Sequence, residues 1–357
     1  MNDRPLYLHE YRPVSKLTLE RHPVRAPRFP VIDAHGHFAD LYLPLYAERP
    51  EEWVPGDAAA LVDVLRRQGI RNIVNLDGFW DGFMGLDLKS VIEATRDFTG
   101  FFINFVSVDT TRVEQPDFSE MVKRHLDRAC NLGFRGVKLF KHVSLMVEER
   151  PYVYRPGRGF RIDDPRLDVI WQTAAALGWP VLAHIADPEA FFDPVDAHNE
   201  RYLELLAHPD WSYSGSGTYS FAELMLAQEN LLGNNPETTF IIPHVGSNAE
   251  NLGFVSNLLR RHANLYVDLA ARIDELGRQY HAARRFFIEH ADRILFGTDV
   301  YTQTAAWCYE PYYTYLETCD DAIGGSRWTM TGLGLPDAVL EQVYWRNAAR
   351  ILGLPGC

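Results

Sequence analysis

Eight short runs of β-branched and aromatic residues recur along the chain, each followed by a stretch of helical periodicity, and few folds accept that rhythm. The first is Val31–His37, and the others cover residues 70–77, 101–109, 133–140, 180–186, 239–246, 265–271 and 294–300. Strands this apolar belong in a parallel sheet covered on both faces. Helix signals fill the intervals: Asp164 and Pro165 open one, Ser220 with Glu223 forms a capping box, and Gly178 closes another. The alternation predicts an α/β chain, one single-domain (β/α)₈ TIM barrel over residues 31–357, behind a Pro- and Arg-rich arm at residues 1–30. A doubly wound open sheet is the competing arrangement, but no GxGxxG follows the first strand.

A length of 357 residues fits one barrel with long loops. With 46% hydrophobic and 23% charged residues, the chain can bury a large core, which excludes a disordered protein. The net charge of −13 is dispersed, which argues against nucleic acid or an anionic membrane as partner and leaves a small-molecule substrate. No apolar leader or bilayer-length run is found, so the expected location is cytoplasmic. Cys130, Cys308, Cys319 and Cys357 show no CxxC spacing and read as reduced thiols, so a metal would need other ligands. Two segments interrupt the repeat, residues 187–219 after the fifth strand and 301–335 after the eighth. Both would lie on the catalytic face as lids or substrate walls, and the aromatic run 307–317 fits a homo-oligomer contact equally well.

His35 and His37 are two apart at the end of the first strand, and the period of two points both side chains into the barrel mouth as a chelating pair. His184 ends the fifth strand, His244 the sixth and Asp299 the eighth. A single buried histidine is more often a hydrogen-bonded core residue. Four of them with a carboxylate, all at the carboxyl ends of barrel strands, indicate a site. Nitrogen and carboxylate donors of this kind suit a divalent metal, Zn²⁺ foremost, with Mn²⁺ or Fe²⁺ as alternatives.

In these positions the sequence resembles the amidohydrolase superfamily, through His35-Gly36-His37, Lys138 in GVKLF, His184 in LAHIAD, His244 in IPHVG and Asp299 in FGTDV. The pattern spans all eight strands in order, and its spacing is most similar to the amidohydrolase-related branch that holds aromatic-acid decarboxylases and lactonases. The resemblance implies that His35, His37 and Asp299 bind metal, with His184 as a further ligand. It also implies that Asp299 takes a proton from metal-bound water, which a divalent ion brings to a pKa of about 7. His244 would polarise a carbonyl or assist proton transfer. Lys138 would bridge two metals if carbamylated. Its strand position leaves it facing the interior or the helices, and apolar Val137 and Leu139 beside it favour the interior.

Decarboxylases of this branch commonly follow the strand-eight aspartate with an aromatic residue and a proline. Here the run is Asp299-Val300-Tyr301-Thr302. The leading expectation is therefore a metal-dependent hydrolase of a small lactone, amide or related carbonyl compound. A non-oxidative decarboxylase of an aromatic or enoic acid is the alternative. Arg201, Glu200, Trp211 and Tyr213 in the long loop are candidates for substrate recognition, and Asp77, Asp109 and Asp268 could serve the site or cap a loop.

Overall fold

Eight parallel strands form the barrel: β1 (Val31–His37), β2 (Ile70–Asn75), β3 (Phe102–Asn104), β4 (Val137–Leu139), β5 (Val181–Ala183), β6 (Phe240–Ile242), β7 (Leu265–Asp268), and an eighth in two pieces, β8 (Ile294–Leu295) and β9 (Val300–Tyr301). The computed structural model describes residues 6, 7, 10, 11, 13, 14, 16–44, 55–324 and 328–354, so His9, Cys357 and parts of the arm lie outside the described residues. One sheet runs β9-β1-β2-β3 and the other β8-β7-β6-β5-β4. Backbone bonds join the two seams. Val106 N donates to Gly136 O at 2.9 Å and Lys138 N to Val106 O at 2.8 Å; across the other seam, Ala34 N donates to Phe296 O at 2.9 Å and Asp299 N to His35 O at 3.0 Å. The ring these bonds complete is the expected (β/α)₈ barrel.

The three-residue strands β3 to β6 are buried along their whole length, as apolar side chains on both faces of a covered sheet must be. They are shorter than the apolar runs that announce them, because the residues that follow turn into the barrel mouth. The helix signals are realised. Ser220 and Glu223 exchange both bonds of a capping box, and Gly178, at φ 67°, follows the helix Asp168–Ala176.

The segment after the eighth strand lies on the face expected of a substrate wall, where Tyr301, Thr304, Trp307 and Tyr312 line the cavity over the strand ends. Tyr309, Tyr313 and Tyr315 of the helix Tyr309–Glu317 are fully buried, with Tyr309 and Tyr313 ringed around Phe296 and Tyr344 of the same chain. These three tyrosines are core of their own chain, and Trp307, at 66% exposure, is on the surface. The arm is tied to this segment: His22 Nδ1 lies 2.7 Å from Asp320 and Val24 N donates to Thr314 at 2.9 Å. Among the described residues no helix is long and apolar enough to cross a membrane.

Candidate metal centre

The ends of β1 and of the eighth strand bring three donors together. Ligand atoms of His35, His37 and Asp299 all lie within 4.8 Å of one another. Asp299 Oδ1 is 3.2 Å from His37 Nε2 and 3.5 Å from His35 Nε2. Asp299 reaches this place from a left-handed backbone at φ 65°, the kink that divides the eighth strand. A non-glycine residue in that region is uncommon, and strain of this kind gathers at functional sites.

Each imidazole is held from behind. His35 Nδ1 is 2.8 Å from Asp268 and His37 Nδ1 is 2.6 Å from Asp77. Asp268 also accepts from His244 N at 2.9 Å and Ala270 N at 3.1 Å, and Asp77 from Ala39 N at 3.1 Å. Carboxylates in this position fix the tautomer of a metal-binding histidine and turn its other nitrogen forward. Asp77 and Asp268 therefore belong to the site. Asp109 bonds Thr111 N and caps a turn instead.

His184 and His244 follow the same rule with other acceptors. His184 Nε2 lies 3.2 Å from Asp187, which leaves Nδ1 with the lone pair. His244 Nδ1 donates to Ala270 O at 2.8 Å, which leaves Nε2 with it. The two rings stand 4.7 Å apart, and His244 is 5.2 Å from His35. His184 thus borders the three-donor group without joining it. The His244 lone pair suits proton acceptance or ligation, whereas polarising a carbonyl would need a proton there. His244 is aimed by a left-handed turn, with φ of 59°, 57°, 66° and 57° from His244 to Ser247.

Charge at the mouth is strongly perturbed. Burial holds His35 below its ordinary value, His184 down at about 4, and His244 well below, with Arg272 adding to the effect on His244. Burial thus favours the neutral form of each ring, the form that ligates. Burial would also lower His37, but Asp77 and Asp299 outweigh it and raise it to about 9. For Asp299 burial acts upward, and the surrounding imidazoles, His35 first, hold it well below the carboxylate range. Lys138 faces inward and is buried, which lowers it to about 8 against the pull of Asp299.

A cavity of about 870 Å³ opens over these groups, and its wall includes Lys138, Arg201, Trp211 and Arg272. Of the loop candidates, Arg201 is already tied to Glu275 and, at 2.8 Å, to Glu204; Trp211 stacks on His208. Glu200 pairs with Arg278 at 2.8 Å on the outside and does not reach the cavity. Tyr213 donates to Asp187 at 2.5 Å and so supports His184 indirectly. Sequence reasoning missed Asp187, Arg272 and Asp33. The first had a signal, since it stands three residues after His184. Asp33 lies two residues before His35 on the same strand face, and accepts from His35 N, Thr298 and Tyr309 beneath the site.

The family model described as Amidohydrolase matches residues 32–354. No curated protein matches the chain. Among solved structures, an uncharacterised TIM-barrel protein from Bordetella bronchiseptica is similar at 16% identity and TM-score 0.57, covering 91% of this chain and 99% of that one. A dihydroxybenzoic acid decarboxylase from a Polaromonas species, with bound manganese and the inhibitor 2-nitroresorcinol, gives 15% and 0.55 over 92% and 98%. A 5-carboxyvanillate decarboxylase from Sphingomonas paucimobilis gives 14% and 0.52 over 92% and 100%. At such identities the likeness establishes the barrel. The family model runs from the first strand to the last helix, and the chain belongs to the amidohydrolase family.

Proposed function

We propose that this protein is a divalent-metal-dependent hydrolase of a small carbonyl compound, a lactone, an amide or a related C–O or C–N bond, with zinc as the metal. One observation carries the reading: His35 Nε2, His37 Nε2 and Asp299 converge on one point while Asp268 and Asp77 hold the imidazoles from behind. Two imidazoles and a carboxylate with such backing fit Zn²⁺, Mn²⁺ or Fe²⁺. The ion would supply Lewis acidity and acidify water. His35, His37 and Asp299 would hold it, with His184 Nδ1 as a further donor. Asp299, ionised and at the cavity wall, accepts a proton on its carboxylate, and His244 Nε2 is a second acceptor beside it. Lys138 stays an ammonium or, carbamylated, joins a second metal.

The second reading, non-oxidative decarboxylation of an aromatic or enoic acid, is favoured by the activities named for the two decarboxylases of the same fold. In that reading Asp299 delivers a proton to carbon instead of taking one from water. A product assay on zinc- or manganese-loaded protein separates the two. The hydrolase reading expects metal-dependent acid release from lactones or amides without CO₂. Stoichiometric CO₂ from hydroxybenzoates, with no acid release from the first panel, would overturn it.

A further inference from the structure

Arg272 follows β7 and reaches the cavity wall, close enough to His244 to depress its basicity. It is 7% exposed. An arginine so enclosed ordinarily faces a carboxylate, because removing a guanidinium from water without a counterion is costly. Arg272 has no ion pair among the described residues, and its side-chain hydrogen bond, from Nη1 to Ala271 O at 2.8 Å, occupies one of five N–H donors.

None of the acids around it pairs with it among the described residues, although Glu250 Oε1 and Glu275 Oε2 are buried without a partner. Asp187 serves Lys141 and Tyr213, and Glu275 serves Arg201. Glu250 and Asp299 act on Arg272 from a distance without pairing to it. Lys138, on β4 in the same wall, is a second buried cation without an ion pair; its Nζ lies 5.2 Å from the Phe140 ring centre. The cavity therefore contains two enclosed cations that form no ion pair among the described residues, although carboxylates act on both from a distance. An anion that enters it meets donors already stripped of water, and a guanidinium fork matches the two oxygens of a carboxylate.

Resting on the hydrolase reading of the same cavity, we propose that Arg272 binds a carboxylate group of the substrate, so that the compound acted on is a carboxylic acid carrying its cleavable bond elsewhere in the molecule. Lys138 adds a second positive contact. Arg201, although nearer the sequence-based expectation, has its charge matched by Glu204 and Glu275 and plays no such part.

Benzoate and its neutral analogue benzamide test this by calorimetry on the full-length protein, as purified and again after dialysis against a chelator. Wild type should bind benzoate, and Arg272→Met should weaken it about 10- to 100-fold while benzamide binding stays equal in both proteins. Equal benzoate affinity in wild type and Arg272→Met, or no benzoate binding by wild type, overturns the proposal. Should Arg272→Met fail to fold, Arg272→Lys keeps the charge and loses the fork: weakened benzoate binding supports the proposal, and unchanged binding overturns it. Binding needs no turnover, so benzoate held through Arg272 by a protein that hydrolyses nothing would sink the hydrolase reading alone. Metal-dependent hydrolysis indifferent to Arg272→Met would sink the carboxylate inference alone.

Discussion

Asp299 lies within 3.5 Å of both His35 Nε2 and His37 Nε2, and in the proposed mechanism this one carboxylate serves metal and proton together. Asp299→Asn keeps the shape and removes the charge. Turnover measured on metal-loaded protein should fall by about 10² to 10⁴, while the fold survives; near-normal turnover with metal intact would remove Asp299 as the proton acceptor. His35→Ala should instead lose activity with its metal. His37 has a pH signature. Without metal it holds its proton to about 9, above the ordinary 6.5, so the folded state binds the extra proton. That contribution to stability is complete below about 6.5 and is lost as pH rises through about 9. Metal must displace the same proton, so apparent metal affinity should climb by up to about tenfold per pH unit in that window. Chelator competition between pH 6.5 and 9 measures it, and a flat profile would contradict the arrangement.

Strands and turns decide how the donors are presented, and here the sequence was only partly legible. All six expected site residues on or at the ends of strands, His35, His37, Lys138, His184, His244 and Asp299, face one cavity, because β-branched runs locate barrel strands and period two locates their inward side. Their division of labour was not legible. Whether Asp77 or Asp109 backs a histidine depends on which loop folds over β1, and both occupy similar places in their own runs. The left-handed turn at His244 to Ser247 was hidden as well, since Val245 has no local preference for φ of 57°. Arg272 was invisible because its significance lies in partners it lacks. Close packing also operates at this scale. Gly78 follows Asp77, and an added Cβ would strike Phe105 O and the Phe134 ring. Gly78→Ala should therefore cost about 2 kcal/mol or more and disturb His37 through Asp77. Denaturant unfolding checks it; a change within about 0.5 kcal/mol would show that the loop yields freely.

Over the whole molecule, eight strands arriving at one mouth let residues as distant in sequence as His35 and Asp299 share one ligand, and that ligand should stabilise the barrel that makes it possible. Zinc or manganese at about 100 times its dissociation constant should add about 2.7 kcal/mol to unfolding, seen as a raised melting temperature that a chelator reverses. His35→Ala should show no such rise. The most direct measurement is an anomalous difference map from crystals grown with zinc or manganese. A peak is expected at about 2.0 to 2.2 Å from His35 Nε2, His37 Nε2 and a carboxylate oxygen of Asp299. A map with no peak among these three atoms, from protein that contains stoichiometric metal, would contradict it.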